Sequence, residues 1–506
     1  MTPLEWIKNI ISVCISGIDT ENEQNTQNEI KKLAEIYQNY KAEQQESVHQ
    51  IIREQFHMND ALYVISFIVK YLNLDAFWED IIWHVCSANK DCFIGSMVEA
   101  QLQIYGTASY KQKRMLHRNN VLNFKQKLKV SNYRIAEQEK NKKRIVIVTE
   151  QLLSVKHAPT LITLEFAYIL QEKMNFEVQI ITCPLDYHLS FDLWVDPRCY
   201  YGGFEGVREI LYKGVAIKNI GFSMENGSLE RCGEMLRVIS AWKPWLVLEL
   251  GVSNPLADLY RELTTTVAMA MTTECPVSEA DILIRYVPES ETYEEACKRE
   301  LLPYQKQIFM QEKLPVITQE AQKECEPDDL GLPEGKFFVA VVGNRLDLEI
   351  DEAFLKIMKN IIDSAEKIDF VMIGVAKKLQ EKLEGTTYGK RVHFLGYCMD
   401  LLGTYRALHL YLNPRRLGGG WSSAMALMAG LPVVTLPACD VAYNVGGEFT
   451  VTTEEEMVNA VIRYASDDVF YGQKKRIAIE KGRDGGEQKM LQYVTSLFTG
   501  IRENIE

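Results

Sequence analysis

The feature that most constrains this chain is an alternation of short apolar runs with helical stretches, which begins at Arg144, breaks off, and starts again at Phe337. A β-branched run of five to eight residues bounded by turn residues has the pattern of a strand buried on both faces, and strands that alternate with helices build a parallel sheet covered on both sides. The first series has strands at RIVIVT, Val178–Cys183, Val215–Phe222, Leu246–Leu250, Thr265–Met271 and Ile282–Tyr286, with a helix from Pro159 and another at PLADLYREL. The second has strands at Phe337–Asn344, Phe370–Val375, Val392–Tyr397, Leu410–Pro414 and Pro432–Leu436, with helices at Ile350–Ala365, Lys377–Leu383, Asp400–Ala407, Ser422–Met428, Glu454–Ser466 and near Glu487–Phe498. Between them lies Pro303–Lys336, polar and proline-bearing, where the interdomain connection is expected. Residues 1 to about 140 show helical spacing, as in Ile30, Leu33, Ile36 and Tyr37, and have almost no glycine before Gly95.

The expected fold class is therefore α/β: two Rossmann-like, doubly wound domains facing a cleft, with an all-helical N-terminal extension. The expected organisation is a helical domain at 1–140, a first Rossmann-like domain at 144–310, a second at 336–485 and a C-terminal helix at 486–506 that packs back on the first. In open α/β sheets, ligands bind at the C-terminal ends of the strands, so the cleft is where a site is sought.

Charge and cysteine usage narrow the function classes. The chain has 56 basic and 69 acidic residues, a net charge of −13, which argues against nucleic acid as the main partner. Its 11 cysteines are irregularly spaced without a CxxC pair, which fits reduced thiols rather than a zinc knuckle or a disulfide framework. The N-terminus lacks the positive start of a signal peptide, and no run of about 18 apolar residues occurs, so the expectation is a cytoplasmic protein without a transmembrane segment. Ile10–Ile18 reads either as a helix face turned into its own domain or as a surface-lying helix. The basic stretch Tyr110–Lys129 reads either as a solvated helix or as a patch for an acidic partner or membrane surface.

The sharpest segment is Asn413–Pro437, NPRRLGGGWSSAMALMAGLPVVTLP. A strand ends, Arg415 and Arg416 follow, then Gly418, Gly419 and Gly420, then Ser422 and Ser423 at a helix start. Glycines let backbone amides approach a ligand, and the first N–H groups of a helix attract phosphate. The hydroxyls of Ser422 and Ser423 add donors and the arginines add charge. A Walker-type Lys-Ser/Thr ending is missing, which excludes the usual ATPase loop. A tight turn would need the glycines for sterics alone; the two arginines and the AGLPVV sequel favour an anion.

The run GGGWSSAMALMAGLPVVTL followed by DVAYNVGGEF resembles the donor half of GT-B nucleotide-sugar glycosyltransferases, most of all the bacterial branches near O-GlcNAc transferase and the adhesin-modifying enzymes. The resemblance covers about Arg144–Ile501. It implies a nucleotide diphosphate sugar, a UDP-sugar by preference, as substrate, no cofactor and no metal. In VVGNR it places Arg345 at the pyrophosphate, a candidate for stabilising leaving-group charge, against the alternative of a surface arginine. Lys377 and Lys378 either reach the same diphosphate or start a solvated helix. Tyr397 either stacks on the base or is an ordinary rim aromatic, and Asp440 either holds ribose or sugar or caps the next turn. Many retaining GT-B enzymes carry a glutamate in the helix after the glycine loop; Met425 stands there instead, which points toward the inverting branch.

On the first α/β unit, SVKHAPT places His157 at the C-terminal edge of the sheet. Histidine can accept a proton from an attacking hydroxyl near neutral pH. The readings for His157 are general base, ligand contact or helix cap; Lys156 and Thr160 are weaker neighbours. In ELGVSNPLADLYRE, Asn254 is a helix cap and Asp258 lies one turn inside, an acceptor-side candidate or plain helix solvation. The expected function is sugar transfer to a hydroxyl of a protein or surface glycan, with the helical region recognising the acceptor, a partner or an oligomer contact. The competing readings are a non-hydrolysing sugar-nucleotide epimerase and a degenerate, non-catalytic accessory protein.

Overall fold

The computed structural model of the protein describes residues 1–16, 23–55, 58–72, 92–93, 95–96, 98–99, 109–150, 152–155, 157–182, 208–221, 228–251, 253–271, 275–286, 301–310, 314–315, 323–416, 418–437, 439–483 and 486–505. The chain divides into two compact units, Met1–Phe309 and Met310–Glu506.

The first unit begins with helices α1 (Pro3–Ser16), α2 (Glu23–Gln38), α3 (Ala42–Gln55), α4 (Met58–Phe67) and α5 (Tyr110–Leu128). Trp6, Ile7 and Ile10 of α1 are fully buried with Leu33, Tyr37, Ile52 and Ile65, and the Trp6 indole donates to the Leu33 carbonyl at 2.8 Å. The apolar face of α1 therefore turns into its own core and not onto a surface. Helix α5 starts at a reciprocal cap, in which the Ser109 hydroxyl accepts the Gln112 amide and the Gln112 side chain accepts the Ser109 amide. Its Leu116 belongs to the helical core, whereas Val121 and Phe124 belong to the core under the following sheet. Part of its basic charge is committed inside the unit: Arg114 and His117 are buried, and Lys125 pairs with Glu262 at 3.0 Å.

The α/β part then follows as β1 (Asn141–Thr149), α6 (Ala158–Tyr168), β2 (Glu177–Thr182), β3 (Glu209–Tyr212), β4 (Val215–Gly221), α7 (Leu229–Trp242), β5 (Pro244–Leu250), α8 (Pro255–Leu259), β6 (Thr265–Met269), β7 (Ile282–Tyr286) and β8 (Lys306–Met310). The sheet order is β3-β4-β2-β1-β5-β6-β7-β8. Strand pairs β1–β2, β1–β5, β2–β4, β5–β6 and β6–β7 are parallel, and β3 is antiparallel to its neighbour β4. The order reverses between β1 and β5, so the residues after these two strands share a switch point. One expectation is corrected: part of the segment read as a connection, Lys306–Met310, is the last strand of this sheet. Its pattern is half-polar because it is an edge strand, and half-buried edges look like loops in sequence.

The second unit runs β9 (Phe337–Val342), α9 (Leu346–Glu349), α10 (Glu352–Ser364), β10 (Ile368–Ile373), α11 (Lys377–Leu383), β11 (Val392–Gly396), α12 (Leu401–Tyr405), β12 (Leu410–Leu412), α13 (Gly420–Met428), β13 (Val433–Val434), α14 (Asp440–Val445), α15 (Glu454–Ser466), α16 (Asp468–Gly482) and α17 (Glu487–Ile505). Its sheet is ordered β11-β10-β9-β12-β13, all parallel. Strand β9 shows why the run is continuously apolar: Phe337, Val339 and Val341 enter one core, and Phe338, Ala340 and Val342 enter the core on the other face. The switch point lies between β9 and β12.

Candidate functional site

The switch point of the second unit carries most of the residues singled out in the sequence. Helix α13 begins at Gly420 with Gly419 as its N-cap, and Gly418 and Gly419 both have left-handed backbones, φ +88° and +83°. Glycine is required there because a Cβ disfavours that conformation. Among the described residues no side-chain cap hydrogen bond is made at the start of α13: the hydroxyls of Ser422 and Ser423 donate back to the carbonyls of Gly419 (3.0 Å) and Gly420 (2.8 Å). The first amides of the helix thus keep their donor capacity for an anion. Asp440, the first residue of α14, accepts the Gly418 amide at 3.1 Å, and the Asn444 side chain donates to the Gly420 carbonyl at 2.7 Å. Helix α14 therefore clamps the turn from below.

The two arginines have different environments. Arg415 is exposed. Arg416, with a side chain only 4% exposed, donates through Nε to Asn413 Oδ1 (3.0 Å), through Nη1 to Glu349 Oε2 (2.6 Å), and through Nη2 to the Val342 carbonyl (2.6 Å) and the Tyr411 hydroxyl (2.9 Å). With four of its five N–H groups so engaged, Arg416 holds the ends of β9 and β12 together, and it is not presented to a ligand. Arg416, expected among the donor-binding groups, thus lies against the glycine turn as a brace, with its Nη2 2.9 Å from where a side chain on Gly419 would begin. Arg345 also faces outward, 42% exposed, with its guanidinium on Glu349 Oε1 at 3.0 Å and its Nη2 3.6 Å from where a side chain on Gly418 would begin. Lys377 and Lys378 are exposed at the start of α11, and Tyr397 is 55% exposed after β11. Sequence reasoning missed Glu349 and Asn444. The spacing of four between Arg345 and Glu349 was a visible signal; for Asn444 there was none.

At the switch point of the first unit, His157 is the N-cap residue of α6 without a side-chain cap bond. Its Nδ1 lies 3.1 Å from Thr160 Oγ1, which also accepts the Leu153 amide at 2.9 Å. Burial pushes the imidazole down to about 4, so it is neutral at neutral pH. Lys156 lies outside the described residues.

Asn254 and Asp258 do not line an open surface. Both are about 1% exposed. Asn254 Oδ1 caps α8 by accepting the amides of Leu256 and Ala257. Asp258 accepts from His117 Nε2, from the Ser278 hydroxyl (2.6 Å) and from the Glu279 amide (2.6 Å). On its other side, His117 meets Glu99. Asp258, read as an acceptor-side candidate or as plain helix solvation, is thus engaged inside the first unit: the helical region brings His117 over it, which no local pattern announced.

Among the described residues, no helix is long and apolar enough to cross a membrane.

Residues 339–467 match the family model described as glycosyl transferases group 1. This segment is similar to group 1 glycosyltransferases. It contains the glycine turn, Arg345 and Asp440. No curated protein matches the chain in sequence. Among solved structures, a mutant of the Thermobaculum terrenum O-GlcNAc transferase is 14% identical, with a TM-score of 0.58 over 100% of this chain and 98% of that one. HepE of Anabaena in complex with UDP-glucose is 13% identical, with a TM-score of 0.49 over 70% of this chain and 99% of that one. WaaG, a glycosyltransferase involved in lipopolysaccharide biosynthesis, is 12% identical, with a TM-score of 0.48 over 70% and 100%. The fold of the chain is that of GT-B proteins, with a helical N-terminal region.

Proposed function

We propose that this protein transfers a sugar from a nucleotide diphosphate sugar, a UDP-sugar by preference, to a hydroxyl of a protein or surface-glycan acceptor, without a metal and with inversion. The observation that carries the reading is the uncapped start of α13 beside the outward-facing guanidinium of Arg345. The match of residues 339–467 to glycosyltransferases supports it. As the bond between the anomeric carbon and the diphosphate oxygen breaks, its electron pair moves onto the diphosphate. The amides at Gly420–Ser422 and the charge of Arg345 stabilise that oxygen, with Arg415, Lys377 and Lys378 adding field. The new bond forms from the acceptor oxygen to the anomeric carbon, and its proton goes to the neutral imidazole of His157. Asp440 serves through the turn it holds. Tyr397 supplies an exposed ring on which a base stacks. The helical region recognises the acceptor.

Calorimetry with UDP, GDP, CDP and TDP tests the reading. One of them is expected to bind, and its sugar conjugate to be turned over. Failure of all four to bind would return the chain to the non-catalytic reading.

A further inference from the structure

Glu349 closes the one-turn helix α9 and is 11% exposed at its side chain. One carboxylate oxygen, Oε1, receives both Nε and Nη2 of Arg345 at 3.0 Å, and the other, Oε2, receives Nη1 of the buried Arg416 at 2.6 Å. The two arginines differ in mobility. Arg416 is anchored by three further hydrogen bonds, to Asn413, Val342 and Tyr411, and so fixes the position of the carboxylate. Arg345, on the exposed side, is fixed through that carboxylate. The space around the bridge is closed: a Cβ on Gly343 would lie 2.4 Å from Arg416 Nη1 and 3.0 Å from Glu349 Oε2.

We infer that Glu349 is a positioning residue, which holds the Arg345 guanidinium over Gly418 at the mouth of α13 so that it meets an incoming diphosphate already oriented. The inference rests on the proposed function, because the diphosphate is what Arg345 is aimed at. Two opposing effects decide what Glu349 is worth. Its negative charge weakens the pull on an anion, while its two-point grip spares Arg345 the entropy of ordering a long side chain on binding. Because Arg416 neutralises most of the same carboxylate from the buried side, the grip outweighs the repulsion.

A double-mutant cycle read by calorimetry separates the two. The probe is whichever of UDP, GDP, CDP and TDP binds wild-type protein most tightly. Arg345→Ala is expected to weaken binding about 10-fold in the wild-type background and about 2-fold or less in Glu349→Gln, since a guanidinium released from that carboxylate is less well oriented. Glu349→Asp keeps the charge but is one methylene too short to bridge both arginines, and the same collapse of the Arg345 effect is expected there. Melting temperatures of the single variants identify which of the two is well folded, and the cycle is read on it. An equal cost of Arg345→Ala with and without Glu349 overturns the inference, as does a larger cost without it, which would make Glu349 a competitor for the arginine. If none of the four nucleotides binds wild-type protein, the functional reading falls and this inference falls with it. Binding with an additive cycle overturns this inference alone.

Discussion

Asp440 and Gly418, 22 residues apart, are joined by a 3.1 Å hydrogen bond from the glycine amide to the aspartate carboxylate. The bond ties the start of α14 to the turn that opens α13. It turns a flexible glycine sequence into a fixed arrangement of donors, because each glycine would otherwise lose considerable backbone freedom on binding a ligand. Asp440→Ala should lower the affinity for a nucleoside diphosphate about 10-fold, in keeping with a hydrogen bond to a charged group. Calorimetry would measure this, and unchanged affinity would show that the turn holds itself.

The two arginines should separate in a kinetic experiment. Arg345→Ala removes the exposed charge proposed to face the leaving group, and should lower kcat by roughly 100-fold or more with little change in melting temperature. Arg416→Lys cannot reproduce a fork of four hydrogen bonds, and should lower the melting temperature by several degrees before any kinetics are considered. Equal thermal losses in the two variants would contradict the distinction.

His157 is held neutral by burial, with a value of about 4. As a base it should give kcat/KM an acid limb near pH 4, not near 6.5, and His157→Ala should slow turnover by roughly 100-fold. The same shift acts on stability. A histidine whose folded value is depressed takes up protons more readily when unfolded, so stability is lost as pH falls from about 6.5 toward 4. The half-buried His409, also pushed to about 4 by burial and the nearby Lys475 and Lys367, acts in the same direction. The difference in melting temperature between wild type and His157→Ala should therefore shrink across that window.

His117 shows the opposite sign. Full burial alone would neutralise it, but the Glu99 charge and the hydrogen bonds to Asp258 and Glu99 push it up to about 10. A raised value means that its contribution is complete below about pH 6.5 and is lost as pH rises toward 10. His117→Ala leaves two buried carboxylates without their cation, and should cost about 3–5 kcal/mol at pH 7. Urea titrations at pH 6 and pH 9.5 would check both statements; a pH-independent difference between wild type and variant would refute the assignment.

Gly374 tests the packing of the donor-side switch point. Its φ is +121°, and a Cβ there would lie 2.0 Å from the Gly343 carbonyl oxygen. Gly374→Ala should destabilise the second unit by about 2–3 kcal/mol, and weaken diphosphate binding because Gly343 leads directly to Arg345. A thermal melt indistinguishable from wild type would show that the loop relaxes at no cost.

What the chain's residues determined on their own is the alternation. Runs such as FFVAVV are apolar at every position because both faces of the strand are buried, so each strand of the central sheets announces itself locally. The glycine turn was legible for the same reason, since left-handed backbone and close approach both demand one residue type. The edges were not: Glu209–Tyr212 and Lys306–Met310 are half-exposed strands whose pattern matches a loop.

Only the tertiary structure decided which charges face outward. Arg415 and Arg416 are neighbours in sequence, yet one is exposed and the other is closed in by Glu349, Tyr411, Asn413 and Val342. Asp258 reads as a solvated helix residue until His117, 141 positions earlier, is laid against it. Burial and partner choice depend on which distant elements pack together, and a charge has no periodicity by which the chain could announce its partner in advance.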